Sequence, residues 1–316
     1  MTSRISVRKI VGWLAAAALV SLVALCGRGV VWPELPDQAR PVIRFAFFDI
    51  GQGDAALVAD GGGNQVLIDG GPDSAILEKL GRYLPTGDRT IELVILTHPH
   101  SDHMSGLFAV WEKYQVNRLL VGKDAAKDSI ASTLVTKAKA LGTIVREAEI
   151  GTQKIGEIKI ETLNAGDEKT DDWNDKSLVI DSGCGAARAL FMADASEKIE
   201  EKLLSANLVG AAALIKIGHH GSGRSSSREF LKKVSPQFAV VSAGKNSYGQ
   251  PSSKTLFRLK EQDARIWRTD QDGDVLAVTD CEEFAVSGSR PKPGRPLLLR
   301  RLLDKIGAKI KYDKRH

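Results

Sequence analysis

The chain is poor in the residues that cross-link a fold or cage a metal through sulfur. It has three cysteines in 316 residues, and none of their spacings resembles a disulfide framework or a metal knuckle. Cys26 lies in an N-terminal apolar segment. Cys184 and Cys281 read as free thiols, with pairing open to them only if the domain lies outside the cytoplasm. Long apolar runs are missing too: after Cys26 none has the length of a membrane span, so the body is not a membrane bundle. No repeat of short period occurs, which leaves two similar β-rich halves as the internal symmetry still open. No Ser or Cys stands in a convincing nucleophilic triad. Histidine is scarce as well, six in the whole chain, yet three of the six fall between His98 and His103.

What is present begins with a charge asymmetry. Residues 288–316 hold ten Lys and Arg against Asp304 and Asp313, so this tail carries +8; the total is +5, and the rest therefore sums to −3. A basic tail suits nucleic acid or anionic phospholipid, and "PLLLRRLLDKIGAKIKYDKRH" sets Leu and Ile among Arg and Lys at helical spacing, fit to lie on a membrane surface. A solvated terminus is the alternative. At the other end, Arg4, Arg8 and Lys9 precede an uncharged run from Ile10 to Cys26, the order of a signal sequence. Residues 1–29 thus read as a signal peptide or, uncleaved, as an inner-membrane anchor with its positive flank inside. Either reading places the following domain outside the cytoplasm. Leu25 before Cys26 is a poor lipoprotein cleavage site, and the run lacks the polar face of a core helix, Ser21 being its one polar side chain. Pro33, Pro36 and Pro41 make residues 30–41 an extended linker.

The body, residues 42–287, alternates strand and helix patterns. "VIRFAFFDIGQGDAALVAD" reads as strand, glycine turn and strand, and "VLIDGG" as a third strand. Helical spacing appears over 74–83, 104–114, 128–141, 196–205, 225–234 and 254–262. Between them lie apolar strands: "IELVILTH", "VNRLLVG", the hairpin "LVIDSGCGAARALFMAD", "AALIKIGHHGSG", "FAVVSAG" and strand-like segments in "RIWRTDQDGDVLAVTD". This mixture of βα alternation and hairpins indicates α/β layers.

The stretch "VILTHPHSDHMSG" puts four potential metal ligands into six positions at the end of a buried strand. His98 and His100, two apart on extended backbone, point the same way; Asp102 and His103 then face a second point beside the first. Imidazole suits zinc and its neighbours, and Asp adds a hard oxygen. Two divalent ions held close together activate water and hold the attacked group. His219 and His220 supply a later pair. On an extended strand end they would face opposite ways, and which of them ligates stays open.

These motifs resemble the metallo-β-lactamase superfamily, whose H-x-H-x-D-H signature matches "THPHSDH". "FFDIGQGDAALV", "LIDGG", "HHGSGRSS", "VVSAGKNSYGQPS" and "RTDQDGDV" more narrowly resemble the hydrolase domain of the ComEC competence proteins, in order and over residues 42–279. The resemblance implies a four-layer αββα fold after the N-terminal apolar segment, and two divalent cations, zinc or alternatively manganese. It implies His98, His100, Asp102, His103, Asp194, His219 and His220 as ligands, with Asp102, Asp194 and His220 catalytic. Asp69 and Asp54 would brace the ligands from behind, and Asn174, Lys245 and Gln250 would meet substrate. The activity implied is hydrolysis by metal-activated hydroxide, with DNA as the phosphodiester substrate and partner. The alternatives are a hydrolase of small esters, of phosphocholine or lactone type, and a non-catalytic module that binds DNA or the envelope. No protein partner is indicated. Three departures bear on this. No histidine occurs between Met104 and Ala193, where the superfamily has another, and Asn174 stands in that region. "YGQP" puts Gln250 where the subgroup often has histidine. The membrane helices of ComEC have no counterpart here, so a pore is not implied. "DQDGD" reads as a hairpin turn, since the glutamate of a calcium loop is missing. Trp173 reads equally as a stacking platform or as core, and Ser222 and Ser225 to Ser227 as an N-cap before an anion site.

Overall fold

In the computed structural model, residues 42–166 and 169–290 are described. The leader, the linker, Cys26 and nearly all of the basic tail lie outside the described residues. Two sheets dominate. The first has eight strands in the order β17 (Phe284–Gly288), β16 (Val275–Thr279), β1 (Ile43–Phe47), β2 (Ala56–Ala59), β3 (Gln65–Ile68), β5 (Leu93–Leu96), β7 (Arg118–Val121) and β8 (Ile144–Glu147). The second has seven, β15 (Arg265–Arg268), β14 (Phe238–Val241), β13 (Leu214–Lys216), β12 (Ala187–Phe191), β11 (Val179–Cys184), β10 (Ile158–Asn164) and β9 (Gly151–Ile155). β4 (Thr90–Ile91) and β6 (Gln115–Val116) form a short separate pair. The strands nearest the site are β1 (Ile43–Phe47), β2 (Ala56–Ala59), β3 (Gln65–Ile68) and β5 (Leu93–Leu96) in the first sheet. Their counterparts in the second are β10 (Ile158–Asn164), β11 (Val179–Cys184), β12 (Ala187–Phe191), β13 (Leu214–Lys216) and β14 (Phe238–Val241).

Side chains alternate across each strand, so both faces of both sheets must be covered, and the apolar pattern shows by what. In β1, Phe45 and Phe47 enter the core between the sheets, whereas Ala46 and the following Phe48 enter a separate core beneath helices. In β5, Leu93 and Ile95 face the partner sheet and Val94 and Leu96 face helices. Phe47 stacks on Phe191 of the opposite sheet at 5.5 Å between ring centroids. Helices α1 (Ala75–Tyr83), α3 (Leu107–Lys113) and α4 (Ser129–Ala140) cover the first sheet, through Ile76, Leu80 and Leu134 among others. Helices α5 (Glu197–Ser205), α6 (Arg228–Val234) and α7 (Ser253–Glu261) cover the second, through Ile199, Leu231 and Leu259. Three apolar cores between four layers make the αββα sandwich, each fully buried large side chain contributing about 1.5–3 kcal/mol before the entropy cost.

Two local readings change. The expected helix over 104–114 divides into a single turn, α2 (Ser101–Met104), followed by α3, because Gly106 packs against the Gly70 carbonyl and interrupts the helix line. "DQDGD" is not a hairpin turn. Thr269–Asp272 form a helical turn, α8, on the crossover from β15 (Arg265–Arg268) of one sheet to β16 (Val275–Thr279) of the other. The Asp274 carboxylate then accepts bonds from Asp49 N, Lys79 Nζ and Tyr83 Oη, tying α1 to the crossover.

The cysteines also depart from expectation. Cys184 and Cys281 are joined in a disulfide that closes a 97-residue separation. Sequence spacing carries no signal for it. The hairpin β11–β12 brings Cys184 to the end of one sheet, and the chain leaving β16 brings Cys281 beside it from the other.

Candidate metal centre

Strands β3 and β5 run parallel, as do β12, β13 and β14, and the site lies at their common C-terminal end. An open sheet leaves a crevice there, and the loops that leave the strands converge on it. Asp69 directly follows β3, Thr97 and His98 follow β5, Asp194 lies three residues after β12, His219 and His220 lie three and four residues after β13, and Ser242 follows β14.

After His98 the chain turns through Pro99 and His100 into α2, which projects Asp102 and His103. Two glycines let neighbouring loops close on this turn. A Cβ on Gly53 would lie 2.3 Å from the Asp102 carbonyl oxygen, and one on Gly106 would lie 2.0 Å from that of Gly70. Asp54 N donates to the Asp102 carbonyl at 3.1 Å, and Gly70 N to that of His103 at 2.7 Å. The backbone is left-handed at Asp69 (φ 58°), Ala193 (φ 46°), His219 (φ 49°) and His220 (φ 53°). Each such non-glycine residue costs on the order of 1–3 kcal/mol, which the rigid sheets below sustain. The strain at His219 and His220 is informative. They do not continue an extended strand, so the alternation expected for the pair fails, and both rings turn toward Asp194.

The donor atoms fall into two groups that share Asp194. The first is His98, His100 and Asp194, with His98 Nε2 at 3.1 Å from His100 Nδ1 and 3.9 Å from Asp194 Oδ2. The second is Asp102, His103, Asp194 and His220. There His220 Nε2 lies 3.1 Å from Asp102 Oδ2, and His103 Nε2 lies 3.4 Å from Asp194 Oδ1. Donors about 2.1 Å from a tetrahedral cation stand about 3.4 Å apart, so this spacing fits one ion. His103 Nε2 and Asp194 Oδ1 are buried and neither makes an aligned hydrogen bond, an arrangement that costs about 1–3 kcal/mol per group without a ligand. His219 belongs to neither group: its Nε2 is 3.8 Å from Asp194 Oδ2 and a third of its side chain is exposed. His220 is therefore the member of the late pair that joins the cluster.

The second group is the better supported. His103 Nδ1 pairs with Asp69 Oδ2 at 2.8 Å, and His220 Nδ1 with the Ser242 carbonyl at 3.0 Å, leaving each Nε2 to face the cluster. Asp69 is held in turn by Thr97 N at 2.8 Å and Thr97 Oγ1 at 2.7 Å. The carboxylates make the site strongly cation-attracting. Burial opposes protonation of His103 and His220, but Asp194 with Asp69, and Asp194 with Asp54, outweigh it. The His103 pKa is held well above the usual value and that of His220 is raised to about 9. Burial and the neighbouring His103 push His98 well below its usual value. Burial raises Asp194, yet His220 and His103 overcome it and hold the carboxyl well below the carboxylate range.

Asp54 is buried behind the second group, its Oδ1 3.4 Å from His220 Nδ1. Burial would raise its pKa, but Lys216 and His220 lower it to about 2. Lys216 was not anticipated as a site residue; a lone charge inside the apolar strand "ALIKIG" was the available signal. Gln250 accepts from Gln52 Nε2 at 3.0 Å, and Gln52 Oε1 accepts from Gly244 N and Asn246 Nδ2, so two loops are laced together at the rim. Lys245 is exposed on the second of these loops. Asn174 sits on the loop before β11, its Oδ1 buried and without a hydrogen-bond partner among the described residues. Trp173 is half-buried under Lys176, whose Nζ lies 4.9 Å from the ring centroid. Ser227 caps α6 by accepting from Phe230 N, and Ser225 Oγ donates to the Gly218 carbonyl.

The αββα sandwich is that of a metallo-β-lactamase-superfamily domain. Its family model matches residues 48–137. The crystal structure of YhfI, a metallo-β-lactamase fold protein of Bacillus subtilis, superposes with a TM-score of 0.53 at 13% identity, covering 76% of this chain and all of that one. The domain is ComEC-like within the superfamily. The chain is 28% identical over 246 residues to ComE operon protein 3 of Bacillus subtilis, and 30% identical over 231 residues to competence protein ComA of Neisseria gonorrhoeae. Each alignment covers 72% of this chain, but only 32% and 31% of the relatives, so the chain spans about a third of their length.

Proposed function

We propose that this domain hydrolyses phosphodiesters of DNA at a two-cation centre, with zinc, or manganese in its place, as the cation. The observation that carries this is the shared Asp194, set between two buried donor groups in which His103 Nε2 and Asp194 Oδ1 have no other partner. His98, His100 and Asp194 would hold one ion, and Asp102, His103, Asp194 and His220 the other. Divalent cations in such a site lower the pKa of water toward neutrality and polarise a phosphoryl oxygen.

The protein groups divide the remaining work. Asp102 keeps about a third of its side chain open to solvent, so its carboxylate orients the attacking water. The water oxygen forms the new bond to phosphorus as the scissile P–O bond breaks, and a proton passes to the leaving oxygen. His219, with a third of its side chain exposed and its Nε2 3.8 Å from Asp194 Oδ2, is placed to donate that proton. Lys245 and Gln250 at the rim receive the phosphate chain, and Asn174 stands in for the histidine that other members place there. Similarity to a competence protein favours DNA, as does the basic segment 288–316, which also suits an anionic membrane surface. The Cys184–Cys281 disulfide favours a domain outside the cytoplasm, exported or anchored by residues 1–29.

The test offers the purified full chain, loaded with Zn²⁺ or Mn²⁺, single-stranded DNA, duplex DNA, a small chromogenic phosphodiester and a lactone. DNA cleavage abolished by chelator and by Asp194→Ala is expected. Turnover of the small esters alone would move the substrate from DNA to small esters. Chelator-insensitive DNA binding with no turnover of any substrate would overturn the hydrolase.

A further inference from the structure

Behind the two donor groups lies a third cluster, formed by Asp54, Asp69 and His103, all buried, with donor atoms as closely spaced as those in the first two groups. Three buried ligands with two carboxylates are a cation site by composition. Asp54 Oδ1 is buried and has no aligned hydrogen-bond donor. A small cavity, about 10 Å³, lies beside it, bordered by Asp69, Thr97, Lys216 and Ser242. That volume suits a single water-sized occupant. Into this acidic corner the chain sends its own cation. The Lys216 ammonium pairs with Asp54 Oδ2 and donates to the Ala193 carbonyl at 3.3 Å, and the residue is 3% exposed. The Ala193 carbonyl also accepts from His219 N, so this one oxygen joins the turn before Asp194 to the turn that carries the late histidines.

We propose that the Asp54–Asp69–His103 cluster is a latent third divalent-cation site that the Lys216 ammonium occupies in advance. A permanent internal cation at this point limits the centre to two ions and keeps His103 directed at the second of them. Lys216 is thus a positioning residue. The inference rests on the reading of the neighbouring groups as a metal centre. A lysine kept only for packing would behave otherwise on removal: metal would be lost, or retained at the same number. With the ammonium gone, the buried Asp54 carboxylate loses the cation paired with its Oδ2, and a third ion, entering as the His103 Nδ1 proton leaves to solvent, is the available remedy.

The experiment counts ions. Full chain, Lys216→Ala, and Lys216→Ala with Asp54→Asn are dialysed to equilibrium against Zn²⁺, and zinc per chain is measured by mass spectrometry. Two per chain are expected for the unaltered protein and three for Lys216→Ala. A return to two is expected for the double variant, whose cluster has lost a carboxylate. Ethylammonium, which restores the missing charge, should displace the third ion from Lys216→Ala, whereas tetramethylammonium, too large for the cavity, should not. Where Lys216→Ala is poorly folded without metal, its melting temperature should recover only beyond two equivalents of zinc. A count of two or fewer in folded Lys216→Ala, or failure of that variant to fold at any zinc concentration, overturns the proposal. An unaltered chain that binds no zinc overturns the metal centre itself.

Discussion

The two ends of the sandwich are built on opposite principles. At one end, four non-glycine residues adopt left-handed backbone, and Asp54, Asp69, His98, His103, Asp194, Lys216 and His220 are buried together. At the other, hairpins close the sheets and the Cys184–Cys281 disulfide joins one sheet to the other. β12 connects the two directly: its first residue, Ala187, lies beside the disulfide and its last, Phe191, is three residues before Asp194. Left-handed backbone occurs at both ends, Cys281 (φ 70°) included, but concentrated buried charge is kept where chemistry needs donors in a fixed array. Covalent and apolar stabilisation is kept where nothing has to react.

The largest way to sharpen this contrast is Asp194→Ala. It removes the residue shared by both groups, so hydrolysis should fall roughly 10³-fold or more, about 4 kcal/mol of transition-state stabilisation, with loss of tight binding at both sites. The protein should still unfold in a single cooperative transition in chelator, since the three apolar cores are untouched; non-cooperative melting would break the contrast. Replacing both cysteines by alanine is the reciprocal case. The disulfide closes a loop of about 100 residues, so unfolding free energy should drop by about 2–5 kcal/mol in urea titrations. The turnover rate should stay within about twofold, and a larger change would mean that the two ends are mechanically coupled.

A third prediction concerns pH. Glu200 on α5 is fully buried and accepts from Ser226 N at 2.5 Å and Ser227 N at 2.8 Å, just before α6. Burial outweighs these bonds and raises its pKa from 4.5 to about 7. A raised folded-state value means stability that is fully present below about pH 4.5 and is lost as pH rises through about 7, by up to roughly 3 kcal/mol. Urea titrations of the unaltered chain and Glu200→Gln at pH 4.5 and pH 8 should show the unaltered chain losing about that much relative to the variant. Equal slopes would remove Glu200 as the cause.

The smallest effects should separate the two donor groups. Asp69→Asn, acting through His103, should weaken the tighter zinc step about 10–100-fold. His100→Ala should affect the looser step alone, because His100 is half-buried and belongs only to the three-donor group. Competition titration with a chromophoric chelator distinguishes the two.

Much of this was legible in the sequence. Apolar runs such as Val94 to Leu96, covered on both faces, read as buried strands. His98 to His103 announced a ligand loop because four donors occupy six adjacent positions. Asp69 and Asp194 were found through the resemblance of "LIDGG" and "LFMAD" to the family's motifs. The choice of His220 over His219 was not legible, nor was the Cys184–Cys281 bond, since one depends on two left-handed residues and the other on hairpins meeting across sheets. Lys216 was passed over because its partner Asp54 is 162 positions away.

The sequence by itself determined most of the strand and helix segments, and which loop carries the first four donors, because period and composition act within a few residues. Only the tertiary structure decided which donors meet, which of the two late histidines joins the cluster, and which lysine answers a buried aspartate. Those outcomes depend on contacts between residues far apart in the chain, made only once two sheets have packed and their loops have been brought to one edge.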